Sequence, residues 1–135
     1  MGTDVRRVTL VVEKKPRIII KIGGSTLGQL DTTLEDIVTL QRRGVQVIVV
    51  HGGGATISRW MEYCGISPHF LRGLRVTDQA SLEIVISVLS GLVNKKLVAT
   101  MTILGGKAIG LSGVDGAMLR ARVIDSELGY VGEIT

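Results

Sequence analysis

Cysteine, histidine and aromatic residues are scarce in this chain, and each scarcity excludes a class of protein. Cys64 is the single cysteine among 135 residues, so no disulfide can form within the chain. One cysteine and two histidines leave no zinc-ligand spacing, and we predict no metal site. One Phe, one Trp and two Tyr require an aliphatic core. These low counts also argue against a nucleic-acid-binding protein, which usually has stacking aromatic residues or a concentrated basic stripe.

Signals for export, membrane insertion and lipid attachment are missing as well. The first 17 residues contain no apolar stretch of signal-peptide length. Position 6 is Arg6, where a myristoylation signal needs Ser or Thr. Charges or glycines interrupt every apolar run before it reaches the length of a membrane span. We therefore expect a cytoplasmic protein with neither a membrane nor a nucleic acid as its partner.

Aliphatic residues and glycine are abundant instead. Hydrophobic residues make up 45% of the chain, and its 18 glycines cluster at turns rather than in a low-complexity tract. The length is sufficient for one domain with its own core. Scattered basic residues carry the net charge of +4. This distribution favours small anionic ligands, or an acidic half missing from this chain, over a nucleic-acid partner.

Two glycine-rich turns carry the strongest functional signal, because each follows an apolar strand pattern. The two stretches are Ile18-Ile19-Ile20-Lys21-Ile22-Gly23-Gly24-Ser25 and Val47-Ile48-Val49-Val50-His51-Gly52-Gly53-Gly54. At each turn, glycines expose backbone N–H groups where a helix should begin, and a helix N-terminus carries partial positive charge. Lys21 adds a positive charge beside the first turn. The pair of turns predicts a site for phosphoryl transfer to an acidic acceptor.

Strand and helix patterns alternate along the chain, which predicts an α/β fold with right-handed crossovers. Continuous apolar runs predict strands over about 17–22 and 45–50, each buried on both faces. Helical spacing predicts helices over about 31–43, 54–64 and 78–103, the last capped by Asp78 or Thr77. Its length of roughly 35–40 Å is long for a small domain, so we expect it to serve a subunit interface. The remaining expected elements are an arm or extra strand over about 1–16, a hairpin or flap over 66–76, a strand over 108–111, and a hairpin of 119–124 with 130–134.

Three familiar motifs are excluded by their spacing. Neither turn has the dinucleotide-binding pattern G-x-G-x-x-G. The P-loop pattern fails at Gly106-Lys107, which Ala108 follows in place of Ser or Thr. The stretch His51-Gly52-Gly53-Gly54 would form an esterase oxyanion hole only together with a G-x-S-x-G elbow, and the chain has none.

Both turns and four later stretches together resemble the amino-acid kinase superfamily, and within it the acetylglutamate kinases. The later stretches are Gly73-Leu74-Arg75-Val76-Thr77-Asp78, Leu92-Val93-Asn94-Lys95-Lys96-Leu97, Gly110-Leu111-Ser112-Gly113-Val114-Asp115-Gly116 and Leu128-Gly129-Tyr130-Val131-Gly132-Glu133-Ile134. The resemblance implies a three-layer αβα sandwich with a mainly parallel central sheet, of which this chain is the N-terminal half only. Residues 1–16 would form an N-terminal arm and 17–135 the acceptor-binding lobe, with the nucleotide-binding C-terminal lobe absent.

The same resemblance implies an ATP-dependent kinase of arginine biosynthesis with Mg²⁺ as cofactor. It would phosphorylate the side-chain carboxylate of N-acetyl-L-glutamate to an acyl phosphate. Lys21 matches the catalytic lysine that stabilises the transferring phosphoryl group. The phosphate- or nucleotide-binding residues would be Gly23, Gly24 and Ser25, and the substrate-binding residues Gly53, Gly54 and Arg75. Such kinases usually dimerise through the long helix and the sheet edge, so a homodimer is expected.

Other interpretations stay open at this point. One is a kinase for a related acidic amino acid, such as an aminoadipate derivative, and another is a non-catalytic ligand-binding or dimerisation module. Because the second half of the family's fold has no counterpart here, we expect the acceptor-binding lobe to fold but not to turn over alone. We interpret His51 as a turn-stabilising residue and Asp115 as a loop cap, rather than as a catalyst and a metal ligand.

Overall fold

The computed structural model describes residues 15–23 and 32–135. The strands are β1 Arg17–Ile22, β2 Gln46–His51, β3 Phe70–Leu71, β4 Leu74–Arg75, β5 Ala121–Val123 and β6 Gly132–Ile134. The helices are α1 Thr33–Arg42, α2 Gly54–Tyr63, α3 Gln79–Ile86 and α4 Asn94–Ile103, and a π-helical segment, Ser87–Val93, joins α3 to α4. Short 3-10 turns lie at Asp115–Ala117 and Ser126–Leu128. Residues 1–14 of the predicted arm lie outside the described residues.

β1 and β2 form a parallel pair, with α1 as the connection between them. α1 buries Ile37 and Val38 against the inner face of this pair, together with Ile22 of β1 and Met101 of α4. Gly44, at φ +86, lies just beyond the end of α1, as predicted, because a left-handed residue cannot continue the helix. The α/β class with a parallel sheet is therefore confirmed.

The prediction that both strands are buried on both faces is wrong for the described part of the chain. Ile20 and Val49 point toward the helices, whereas Ile19, with 70% of its surface exposed, and Ile48 lie on the other face. Side chains alternate between the faces of a strand, and the described helices pack on one face only. The strands consequently have an inner, helix-covered face and an outer face that includes Lys21.

A continuous helix, Gln79–Ile103, runs through α3, the π segment and α4, close to its predicted bounds. Asp78 is its cap, because the Asp78 carboxylate accepts a hydrogen bond from the Ser81 backbone N–H at 2.8 Å. This bond holds the pKa of Asp78 below its ordinary value. Thr77, the other predicted cap, instead donates its hydroxyl to the Arg75 carbonyl.

The long helix is also the one element among residues 15–23 and 32–135 whose length and composition would allow it to cross a membrane. Length and composition alone are weak evidence for a membrane span, since a helix in a protein core has the same properties. Three charged residues, Glu83, Lys95 and Lys96, interrupt it. Its buried side chains contribute to both hydrophobic clusters of the fold.

α2 packs against the long helix and so acquires a defined position beside the sheet. Ile57 and Met61 of α2 are buried against Val88, Val93 and Leu97 of the long helix. Leu34 of α1 contacts this cluster and also the cluster that α1 forms against the inner face of the β1–β2 pair. The N-terminus of α2 is thereby held next to the end of β2.

The strand predicted over 108–111 does not form. Two of its carbonyl groups bond to side chains instead of to a neighbouring strand: the Lys95 ammonium donates to the Gly110 carbonyl at 3.1 Å, and Asn94 Nδ2 donates to the Leu111 carbonyl at 3.4 Å. Just before it, the Gln41 amide both donates to the Lys107 carbonyl and accepts from the Lys107 N–H, at 2.6 and 2.8 Å. For these groups, side chains take the place of a strand partner.

Both predicted hairpins are present in shortened form. β3 pairs antiparallel with β4, and β5 pairs antiparallel with β6. The second hairpin docks on the start of the long helix through Thr77, whose N–H donates to the Leu128 carbonyl at 2.9 Å. The Thr77 carbonyl in turn accepts from the Tyr130 N–H at 2.7 Å.

Candidate functional site

The candidate site lies at the carboxyl ends of β1 and β2, where both glycine turns begin. Ile22 is paired with His51, and the Gly52 N–H extends the ladder by donating to the Ile22 carbonyl at 3.1 Å. Gly23 is half-buried at this edge. The parallel pairing thus brings Gly23, where the first turn begins, beside the start of the second turn. Gly24 and Ser25, predicted to bind phosphate, lie outside the described residues.

α2 begins at the second turn, without a side-chain cap. Gly53 is the N-cap residue, with φ 176 and ψ 21. Neither its N–H nor that of Gly54 bonds to a described residue. A Cβ atom on Gly53 would lie 2.7 Å from Leu89 Cδ2, whereas none of the described atoms lies within 4 Å of the corresponding position on Gly54. The turn therefore combines close packing on one side with bare N–H donors and the positive end of a helix.

Arg75, at the end of β4, reaches across to the first turn of α2. Its Nη2 donates to the Ser58 hydroxyl at 2.8 Å and to the Gly54 carbonyl at 3.1 Å. Its Nη1 donates to Met61 Sδ at 3.1 Å, and the guanidinium carbon lies 4.7 Å from the centre of the Phe70 ring. Partial burial lowers the pKa of Arg75, but a guanidinium stays charged at neutral pH. Three of its five N–H donors are used within the described chain, which leaves two for a ligand.

Lys21 lies one residue before the end of β1, on the outer face of the sheet and opposite Val50. Its side chain is exposed, and among the described residues it has neither an ion-pair partner nor a hydrogen-bond partner. The predicted catalytic lysine is thus placed next to both turns with its ammonium free to contact an anion.

A polar network that sequence reasoning missed lies behind the second turn, on the inner face. Asn94, the first residue of α4 and buried, has its Nδ2 at 3.3 Å from His51 Nε2 and at 3.4 Å from the Leu111 carbonyl. The Lys95 ammonium donates to Asn94 Oδ1 at 3.2 Å. The available signal was a polar residue in the apolar stripe of a long helix, since a buried amide requires partners.

Asp115 caps its own loop, as predicted. One carboxylate oxygen accepts from both the Ser112 N–H at 2.6 Å and the Ser112 hydroxyl at 2.9 Å. These hydrogen bonds, aided by the charge of Lys95, hold the pKa of Asp115 below its ordinary value. Over the described ranges no three His, Cys, Asp or Glu side chains come together as metal ligands.

Known proteins resemble this chain over most of its length. The model of the Amino acid kinase family matches residues 16–135. The chain is 43% identical over 117 residues to the acetylglutamate kinase of Dehalococcoides mccartyi, which covers 87% of this chain and 43% of that protein. It is 41% identical over 148 residues to the acetylglutamate kinase of a Thermoanaerobacter species, and this match covers 98% of this chain and 49% of that protein.

Two solved structures share the fold. The crystal structure of smu.665 from Streptococcus mutans has a TM-score of 0.80 at 34% identity, covering 88% of this chain and 49% of that one. N-acetylglutamate synthase from Neisseria gonorrhoeae, solved with coenzyme A and N-acetyl-glutamate, has a TM-score of 0.68 at 28% identity, covering 88% and 28%. The chain spans about half the length, or less, of the relatives it matches. Since the family model covers nearly all of its residues, the chain belongs to the amino acid kinase family.

Proposed function

We propose that this chain is the acceptor-binding lobe of an acetylglutamate kinase, which transfers phosphate from ATP to the side-chain carboxylate of N-acetyl-L-glutamate in arginine biosynthesis. The observation that carries the proposal is the position of Arg75 at the N-terminus of α2. Its guanidinium is held by the Gly54 carbonyl and Ser58 beside the bare N–H groups of the second turn. Two sources of positive charge thus meet where a dicarboxylate acceptor would bind. The names of the curated relatives support this acceptor.

The chemistry requires little beyond alignment and charge neutralisation. A carboxylate is already ionised at neutral pH, so this nucleophile needs no general base. Lys21 would neutralise charge on the transferring phosphoryl group, and the Gly23 N–H would orient that group. The N–H groups of Gly53 and Gly54, with Arg75, would bind the acceptor. Gly24 and Ser25 would complete the first turn. Mg²⁺ would be bound chiefly through the ATP phosphates. Such binding requires no cluster of metal ligands from the described residues, which contain none.

The test is calorimetric titration of the 135-residue chain with N-acetyl-L-glutamate, alongside an assay of ATP consumption. We expect binding without turnover, because the chain covers less than half of its full-length relatives. N-acetyl-L-glutamine, which lacks the reacting carboxylate, is the matched control and should bind more weakly. A folded chain that binds no N-acetyl-L-glutamate would contradict the acceptor-binding role, and acceptor-dependent ATP consumption would contradict the expected inactivity.

The titration and the ATP-consumption assay together distinguish two alternatives. A kinase for an aminoadipate derivative would prefer the acid that is one methylene longer. A non-catalytic ligand-binding or dimerisation module would bind the acceptor yet remain inactive when a nucleotide-binding lobe is supplied as a separate chain. The contacts of Arg75 with α2 support the kinase, because α2 begins at the second glycine turn and Lys21 lies near the same edge of the sheet.

We also propose that the chain forms a homodimer through the long helix and the sheet edge. Ile86, Leu92 and Ile103 of the long helix are exposed, the last with 85% of its surface accessible, and exposed apolar side chains on one element favour association. Size-exclusion chromatography with light scattering should give twice the monomer mass of 14.4 kDa. A Leu92→Glu variant should shift the mass toward the monomer. A monomeric wild-type chain at high micromolar concentration would contradict the proposal.

A further inference from the structure

The network behind the second turn has a defined direction of hydrogen bonding. A carbonyl oxygen can only accept, so the 3.1 Å contact between His51 Nδ1 and the Gly52 carbonyl requires the proton on Nδ1. His51 Nε2 is then a lone pair that accepts from Asn94 Nδ2. The Lys95 ammonium donates to Asn94 Oδ1, which fixes the amide in this orientation. Donation therefore runs in one direction, from Lys95 through Asn94 and His51 to Gly52.

This chain of bonds determines the orientation of one peptide group in the candidate site. The Gly52 carbonyl and the Gly53 N–H belong to the same planar trans peptide and point in opposite directions. Holding the Gly52 carbonyl against the His51 ring consequently turns the Gly53 N–H away from that ring. Lys21 lies on the opposite face of the sheet from His51.

The π segment restrains the same turn from a second side. Leu89 and Val93 lie against Gly53, so closely that a Cβ atom there would be 2.7 Å from Leu89 Cδ2 and 3.5 Å from Val93 Cγ2. Asn94 follows the π segment directly. One stretch of the long helix therefore packs against Gly53 and orients the Gly52 carbonyl through His51.

Gly110 leaves room for the Asn94 side chain behind the network. A Cβ atom on Gly110 would overlap Asn94 Oδ1 and lie 2.7 Å from Asn94 Cγ. Lys95 reaches the Gly110 carbonyl at 3.1 Å. The glycine thus allows Asn94 to sit within reach of both His51 and Lys95.

We propose that His51 and Asn94 are positioning residues, which hold the Gly52–Gly53 peptide so that the Gly53 N–H donates to an anionic group of the bound ligand. The identity of that ligand rests on the proposed function; the orientation of the peptide does not. His51 acts through the backbone and touches no reacting atom. It supplies the orientation that a flexible glycine turn does not have by itself.

The first test is ¹⁵N NMR of the imidazole nitrogens in the wild-type chain. The protein has two histidines; His69 is exposed and serves as the internal reference, and a His51→Phe variant assigns the signals. We expect His51 to carry its proton on Nδ1 with Nε2 unprotonated. A folded chain in which the neutral His51 ring carries its proton on Nε2 would overturn the proposal, whatever ligand the protein binds.

The second test compares Asn94→Leu with Lys96→Ala, a matched change on the same helix that lies outside the network. Asn94→Leu should shift the Gly53 amide resonance and weaken N-acetyl-L-glutamate binding about tenfold, the effect of one misplaced hydrogen bond to a charged group. Lys96→Ala should do neither. An unchanged Gly53 amide in folded Asn94→Leu would overturn the proposal, and if this variant does not fold, the wild-type tautomer decides. Absence of acceptor binding in the wild type would contradict the proposed function but not the tautomer or the amide shift.

Discussion

Replacing Arg75 with alanine is expected to weaken N-acetyl-L-glutamate binding by about 12- to 150-fold, because hydrogen bonds to charged groups contribute about 1.5–3 kcal/mol. The guanidinium lies at the N-terminus of α2, held by Ser58 at 2.8 Å and the Gly54 carbonyl at 3.1 Å. Truncation removes the charge and also the donors that no described residue uses. Calorimetric titration of the folded variant measures the change in dissociation constant.

Arg72 provides the matched control for this experiment. It lies in the same hairpin, is exposed, and pairs with Asp125 at 3.3 Å and Glu127 at 3.7 Å. Exposed ion pairs contribute little to stability, so Arg72→Ala should bind the acceptor as the wild type does. Arg75→Lys should fall between the two, because it keeps the charge and loses the planar fork. Equal affinities for wild type and Arg75→Ala would remove Arg75 from the site.

Replacing Gly129 with alanine is expected to lower the free energy of unfolding by about 2–4 kcal/mol, combining overpacking with left-handed backbone strain. Gly129 has φ +68 and ψ −125, a conformation that residues with a Cβ atom rarely adopt. A Cβ atom there would overlap the Thr77 carbonyl oxygen and lie 3.0 Å from its carbon. Neither backbone can move without breaking the bridge that docks the second hairpin on the long helix. Urea denaturation measures the loss.

Gly116 provides a comparison position that lacks the close contact. It also has a positive φ, +61, but no described atom lies within 4 Å of the position of its Cβ. Gly116→Ala should therefore show the conformational cost alone, about 1 kcal/mol. If both variants lost the same stability, the close approach of Gly129 to Thr77 would not matter to folding.

Local sequence signals predicted the main elements well. β1, α2 and the long helix have nearly their predicted bounds, because hydrophobic spacing, glycine stops such as Gly44 and the Asp78 cap all act within a few residues. The strand over 108–111 was wrong: its Gly110 and Leu111 carbonyls accept hydrogen bonds from the side chains of Lys95 and Asn94 on the long helix instead of from a neighbouring strand. The prediction that the strands are buried on both faces was wrong for the described residues. Burial of a face depends on which elements pack against it, and the apolar content of a strand does not specify those elements.

The sequence by itself determined the pair of glycine turns, the lysine beside them and the family, since these depend on residue types at short spacing. The tertiary structure decided how distant residues meet: Arg75 at the start of α2, 21 residues after Gly54, and Asn94 against His51, 43 residues away. Such contacts follow from the parallel pairing of β1 with β2 and from the packing of α2 on the long helix. They depend on the packing of the whole core. The two side chains of each contact lie on different elements, and each element sets the direction of its own side chain.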